Sequence, residues 1–286
     1  MKRKGDAEMR GDDIREPVVA GSFYPGEPDI LRQDIQRYLD AAKPPVAPEH
    51  VIGLISPHAG YQYSGGTAAY GYKLLPGKTY KRVIIFALSH RADFRGAAVF
   101  PGKGFKTPLG VVPVDMEVVK KLHEESPFIT HSILAEQMEH SLEVQVPFLQ
   151  IVLKEFLLVP VLIRDQDLCT CQKIVDLLLK VLPKDARNDT LVVGSTDLYH
   201  GSAYKECVHL DARLADTLIL FDEKRFEDEM ASEEIMACGP ASIMATMLLS
   251  RAFGAQKISL LHLTNSQDVT GYRSDYVVGY LSAVLY

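Results

Sequence analysis

The chain has 286 residues, 47% apolar and 24% charged, and its 31 basic and 37 acidic side chains leave a formal charge of −6. A chain of this length and composition buries a core large enough to fold without staples, while its acid excess argues against a nucleic-acid surface, which needs a net basic face. No apolar run approaches the ~20 residues that a membrane-crossing helix requires.

Residues 1–16 carry positive charge with no apolar stretch behind it, so they read as a flexible tail and not as a signal peptide. No repeat, low-complexity tract or Gly/Ser linker divides 17–286, which read as a single domain. Residues 28–42 have helical spacing, with Ile30, Leu31, Ile35, Tyr38 and Leu39 on one face. A strand is expected at 51–56, a helix at 67–75, a strand at 82–88 and a helix at 115–124. After a charged and apolar mixture at 139–148 come a strand at 156–163, a helix at 170–182 and a strand at 190–195. Helices at 204–220 and 240–250, then strands at 258–263 and 276–285, complete the series. The strands are short continuous apolar runs, as for strands covered on both faces. This alternation predicts an α/β fold with a mainly parallel central sheet flanked by helices on both faces. In such a fold the chemistry lies beyond the carboxyl ends of the strands. Four cysteines, Cys169, Cys171, Cys207 and Cys238, without an export signal point to free thiols in a reducing, cytoplasmic compartment. Cys169 and Cys171, two apart at a helix start, read as incidental.

Strand ends carry polar groups that packing does not require. The run 51–56 leads into Ser56-Pro57-His58-Ala59-Gly60-Tyr61, with Ser64-Gly65-Gly66 opening a helix; 82–88 leads into Ser89-His90; 190–195 leads into Thr196-Asp197-Leu198-Tyr199-His200. A parallel sheet would place His58, His90 and the Asp197/His200 pair on one rim, provided the strands are neighbours. Cys238 stands just before a helix, whose N-terminus would lower its thiol pKa, although a free cysteine is as often a buried space-filler. His140 and Glu143, a turn apart, could orient a ligating imidazole or could cap a surface helix. Tyr61 and Tyr63, in the loop after His58, and Arg273 are pocket-wall candidates. Two neutral imidazoles plus one anionic ligand with open positions is the pattern of a non-haem Fe(II) site. The anion could be Asp197 or Cys238, and thiolate would also suit copper or zinc. His200 would be the acid/base, since its ordinary pKa lies near neutrality. Nucleotide binding is set aside, because Ser64-Gly65-Gly66 belongs to no phosphate-binding motif.

The stretches VVAGSFYPG, SPHAGYQYSGGTAAYGY, LSH, EHSLEVQVPFLQ, STDLYHG and ACGPASI, in this order from about Pro17 to the C-terminus, resemble the Memo-like family, also called AmmeMemoRadiSam system protein B. The resemblance implies a fold shared with class III extradiol dioxygenases, which open catechol rings with Fe(II) and O2. Matched by motif, His58 and His90 correspond to the two histidine ligands, Cys238 to the third ligand in place of the dioxygenase glutamate, and His200 to the acid/base, with Asp197 beside the metal. Cys238 thereby becomes the first choice of anionic ligand and Asp197 the second. A thiolate in place of a carboxylate is itself open to oxidation, and likeness of fold does not carry an activity across that change.

The resulting expectation is a non-haem iron, or copper, oxidoreductase acting on a small molecule, with phenolic substrates among the candidates. The alternative is a metal- or peptide-binding adaptor that performs no turnover, and a zinc hydrolase comes third. In microbes the family's system name implies AMMECR-type and radical-SAM partner proteins; in animals the family is linked to cell-motility signalling.

Overall fold

The computed structural model describes residues 14–286. In chain order its elements are β1 (Ile14–Arg15), α1 (Pro28–Ala41), β2 (Gly53–Ser56), α2 (Tyr61–Tyr72), β3 (Arg82–Leu88), β4 (Ala97–Val99), β5 (Gly104–Thr107), β6 (Gly110–Pro113), α3 (Met116–Glu125), β7 (Ile129–His131), α4 (Ile133–Glu136) and α5 (Val146–Val152). There follow β8 (Leu157–Ile163), α6 (Leu168–Val181), β9 (Thr190–Ser195), β10 (His200–Gly201), α7 (Tyr204–Ile219), α8 (Glu223–Ala231), α9 (Pro240–Ala252), β11 (Ile258–Asn265), α10 (Ser266–Thr270) and β12 (Val277–Leu285). Short 3-10 turns lie at Glu143–Gln145 and Ala186–Asn188. Among the described residues no helix is long and apolar enough to cross a membrane.

The main sheet has the strand order β10-β12-β2-β9-β3-β8-β4-β7, with β11 also paired to β12. Its centre is parallel: β2 pairs β9, β9 pairs β3, and β3 pairs β8. Its flanks are not, since β12 runs antiparallel to β2, β10 and β11, and β4 antiparallel to β8. The sheet is therefore mixed, and the expectation of a mainly parallel one is corrected. The central parallel strands are covered on both faces, with every residue of β3 and β9 buried. Beyond β4 the edge strand β7 runs parallel to β4, reached by a crossover that carries α3. A second sheet, β1-β5-β6, pairs Ile14–Arg15 with the β5–β6 hairpin.

Helices cover both faces of the main sheet. Adjacent residues of β2 point to opposite sides: a Cβ on Gly53 would meet Ser250 of α9, whereas Leu54 packs on Gly71 of α2. On β9, a Cβ at Gly194 would stand 2.5 Å from Thr246 Oγ1 and 2.9 Å from the Ser242 carbonyl, so the missing side chain lets α9 lie close against the sheet. That approach brings the start of α9, and Cys238 before it, to the strand ends.

Several element boundaries move. The helix expected at 67–75 begins at Tyr61, and Gly65 within it makes room for the Tyr38 ring and Tyr61 Cβ. Asp115 caps α3 instead of lying inside it, accepting from Val118 N, and α6 begins at Leu168, earlier than expected, with Asp167 as its cap accepting from Thr170 N. Ile30 stands on the exposed side of α1, whose buried stripe is Leu31, Ile35 and Leu39. Of the expected tail, residues 1–13 lie outside the described residues; 14–16 do not dangle, since Ile14 and Arg15 form β1 and Arg15 is buried.

Candidate metal centre

The register of the central strands explains the site. Ser56 of β2 is level with Ser195 of β9, which is level with Ala87 of β3. His58, Asp197 and His90 each follow within two or three residues, so adjacent strands deliver them to one rim. Cys238 arrives from α9 on the far side, its backbone N–H donating to the Asp197 carbonyl at 3.0 Å. His58, His90 and Cys238 form a group able to hold a metal ion, their ligand atoms lying within 4.8 Å of one another. Cys238 Sγ is 3.2 Å from His58 Nε2. Donors that bind one ion at about 2.0–2.3 Å stand roughly 3.5 Å apart in tetrahedral geometry, so this spacing suits a metal.

Hydrogen bonds fix how each imidazole presents itself. Ser195 Oγ gives its only proton to the Ser141 carbonyl at 2.5 Å and accepts from Gln145 Nε2 at 2.8 Å. His58 Nδ1, 3.1 Å from the same oxygen, must therefore donate, which leaves Nε2 with a free lone pair toward Cys238. Burial, then the neighbouring His140 and His90 rings, lowers the His58 pKa well below the usual range and keeps the ring neutral.

His90 is oriented by a carboxylate. Glu139 Oε2 accepts from His90 N at 2.6 Å, and Oε1 from His90 Nδ1 at 2.9 Å. Burial would raise the Glu139 pKa, but these bonds, the His90 ring and the Ser141 N–H outweigh it and bring the pKa down to about 2. The ionised acid fixes Nδ1–H and directs Nε2 into the site. The same Glu139 belongs to a second group with metal-ligand spacing, His90, Glu139 and His140.

Asp197 is buried; its Oδ1 accepts from His58 N at 2.7 Å, and Oδ2 lies 4.0 Å from His58 Nε2. Burial, only partly offset by the His58 and Ala59 N–H groups, raises its pKa to about 7. Cys238 departs from expectation. Its thiol is not lowered by the helix end; burial and then Asp197 push it up to about 12. Desolvation of the thiolate outweighs a dipole that acts only near the first turn. A bound cation would supply the charge that favours the thiolate.

A pocket of about 680 Å³ opens over these groups. His200 stands on its wall, its Nδ1–H donating to the Leu198 carbonyl at 3.1 Å, so Nε2 is the free base, and burial, then the His90 ring, lowers its pKa. Phe23, Tyr63, Tyr276 and Tyr280 are also on the wall, and among the described residues no lysine or arginine lines it. A larger open groove, about 1350 Å³, lies elsewhere, between residues 76–81 and 109–113, away from both candidate metal groups.

Other candidates fall elsewhere. Tyr61 and Tyr63 are on the first turn of α2, not in a loop; Tyr61 points into the core, its hydroxyl donating to the Val144 carbonyl at 2.7 Å. His140 lines the pocket, 4.8 Å from the His90 ring and 4.7 Å from Phe23. Glu143 does not share its face: it is buried on Arg15, Tyr24 and the Val18 and Val19 N–H groups. Arg273 is off the pocket wall, with its guanidinium over the Tyr204 ring. Glu139, Ser195 and Gln145 were not anticipated. Glu139 did have a signal, as an acid directly before His140, but two acids four apart left open which one faces the imidazoles. All four cysteines are unpaired thiols.

The family model described as Memo-like protein matches residues 15–284. A MEMO1 family protein of Nitrosopumilus maritimus is 35% identical over 272 residues, spanning 93% of this chain and 98% of its own. One from Thermotoga neapolitana is 36% identical over 283 residues (95% and 99%), and one from Methanocaldococcus jannaschii is 33% identical over 288 residues (95% and 99%).

Proposed function

This chain belongs to the Memo-like family, and we propose that it is a metalloenzyme: a non-haem iron oxidoreductase, resembling the class III extradiol dioxygenases, that acts on a small phenolic molecule. The observation that carries the reading is the thiol of Cys238 set 3.2 Å from His58 Nε2, in one ligand group with His90, where both histidines line an aromatic pocket. His58 and His90 would each offer a neutral Nε2, and Cys238 the single anionic ligand. Iron, when bound, would supply Lewis acidity and one-electron redox chemistry; copper and zinc also suit a thiolate. Asp197, with its pKa raised to about 7, and His200, with its pKa lowered, are the groups able to hold or move a proton near neutrality. Tyr63 and Phe23 offer flat surfaces to a ring. Among the described residues the wall carries no lysine or arginine, which favours an uncharged ligand over a phosphate or carboxylate.

The test is metal content after anaerobic purification, wild type against Cys238→Ala, followed by O2 uptake with a panel of catechols. Stoichiometric iron in the wild type, lost in the variant, supports the site, and uptake above that of free iron supports the enzyme. His58→Ala should abolish both metal and activity, whereas His200→Ala should keep the metal and lose activity. A wild type that takes up no metal when Fe(II) is supplied leaves the non-catalytic adaptor as the reading.

A further inference from the structure

Arg15 lies at the start of the described chain, and its side chain is only 4% exposed. Its three donor nitrogens diverge onto one segment. Nη1 donates to Glu143 Oε2 at 2.6 Å, Nε to the Glu136 carbonyl at 3.1 Å, and Nη2 to the Glu139 carbonyl. The Phe105 ring of β5 covers the guanidinium at 5.0 Å. The segment it grips, 137–142, lies between α4 and a 3-10 turn and has no ladder of its own. Beyond the turn bonds from Gln137 N to the Ile133 carbonyl and from Glu139 N to the Glu136 carbonyl, side-chain contacts set its position, and Arg15 supplies those on one side. On the other side the Ser141 hydroxyl donates to the Leu88 carbonyl at 2.7 Å.

Glu139 is where these contacts meet the metal centre. Its carbonyl accepts from Arg15, and its carboxylate holds both the N–H and the Nδ1–H of His90. We propose that Arg15 is a positioning residue for the metal centre, acting through Glu139 on the orientation of His90. The inference rests on the metal reading above and extends the site to the N-terminal strand, which touches none of its ligands. A guanidinium suits this role because its planar fork addresses three acceptors in fixed directions, which a lysine ammonium does not reproduce. Glu143 serves as the anchor: it balances the charge of Arg15 and also accepts from Val18 N, Val19 N and the Tyr24 hydroxyl. Phe23, in the stretch pinned this way, stands on the pocket wall.

The experiment is anaerobic titration of the full chain with Co(II), reading affinity and the thiolate-to-cobalt absorption, for wild type, Arg15→Lys, Glu139→Gln and the double variant. Loss of a group that orients a ligand costs about 10–100-fold in metal affinity. Folded Arg15→Lys should bind Co(II) about tenfold more weakly with an altered spectrum, and the double variant should be no worse than Glu139→Gln alone. Wild-type affinity and spectrum in folded Arg15→Lys would overturn the proposal, as would losses that simply add in the double variant. If Arg15→Lys does not fold, Glu143→Gln, which keeps its shape but removes the anion that anchors Arg15, should weaken binding with the same spectral change. An unchanged spectrum there overturns the proposal too. A wild type that binds no Co(II) would instead sink the metal reading, and the role of Arg15 with it.

Discussion

The two histidine halves of the pocket reach the same result by different physics. On the His58 side the ring is 2% exposed, and neutral groups hold its Nδ1: Ser195, backed by Gln145 and the carbonyls of Ser141 and Pro57, while the Asp197 carboxylate takes the backbone N–H. On the His90 side the ring is 28% exposed and an ionised carboxylate holds it, itself braced by a buried cation. Both leave Nε2 free. The neutral network depends on direction and packing within the sheet, so damage there should appear as lost stability. The charged pair depends on one group remaining ionised and in place, so damage there should appear first as lost metal affinity.

The largest effect that would separate the halves is Glu139→Gln, which should weaken Co(II) binding by up to about 100-fold, measured by titration. Ser195→Ala should act the other way round. It strands the donors of Gln145 and His58 in a buried setting and should cost about 2 kcal/mol of stability in a denaturant titration. Its loss of metal affinity should stay within about tenfold. If Ser195→Ala were stable but metal-free, and Glu139→Gln unstable but metal-loaded, the contrast would be wrong.

Acid and base sharpen it further. Glu139 is depressed in the fold, so it contributes stability above its ordinary pKa of 4.5 that is lost as pH falls toward about 2. Glu136, next to the same arginine, is raised to about 7 by burial, with Arg15 opposing. Its contribution has the reverse sign: favourable below 4.5, it disappears as pH rises through about 7. Glu136→Gln should therefore flatten the fall in stability between pH 5 and 8 by roughly 1–3 kcal/mol relative to wild type. A variant curve that stays parallel to the wild type across this range would contradict that placement of Glu136. The smallest effect is expected at the mouth. Tyr272 is 72% exposed on the pocket lining, and Tyr272→Ala should leave Co(II) affinity and stability unchanged while weakening an aromatic ligand by no more than about fivefold.

Much of the site was legible because strand signals and site chemistry coincide. Continuous apolar runs announce buried parallel strands, and a polar group just past such a run has little packing reason to be there. His58, His90 and Asp197 were found that way, and β2, β9 and β3 are neighbours. The motif resemblance named Cys238, whose arrival depends on α9 packing closely on Gly194. Short outer strands such as β4 and β7 left too few residues to show a period, so the antiparallel flank was missed. In EHSLE the chain turns irregular, and no periodicity says whether Glu139 or Glu143 faces the histidines. Tyr61 went to the core because the helix begins six residues earlier than its apolar pattern.

By itself, then, the sequence determined the alternation of strands and helices, the donor types of the candidate centre and the family to which the chain belongs. These depend on local pattern and on residue identity, which a linear text carries. The tertiary structure alone decided the mixed sheet, the exchange of roles between Glu139 and Glu143, the high pKa of Cys238 and the reach of Arg15 from the presumed tail into the support of His90. Each of these turns on which groups lose water together. Desolvation and directed hydrogen bonds are properties of neighbours in space, and Arg15 stands 124 positions from the carbonyl it holds.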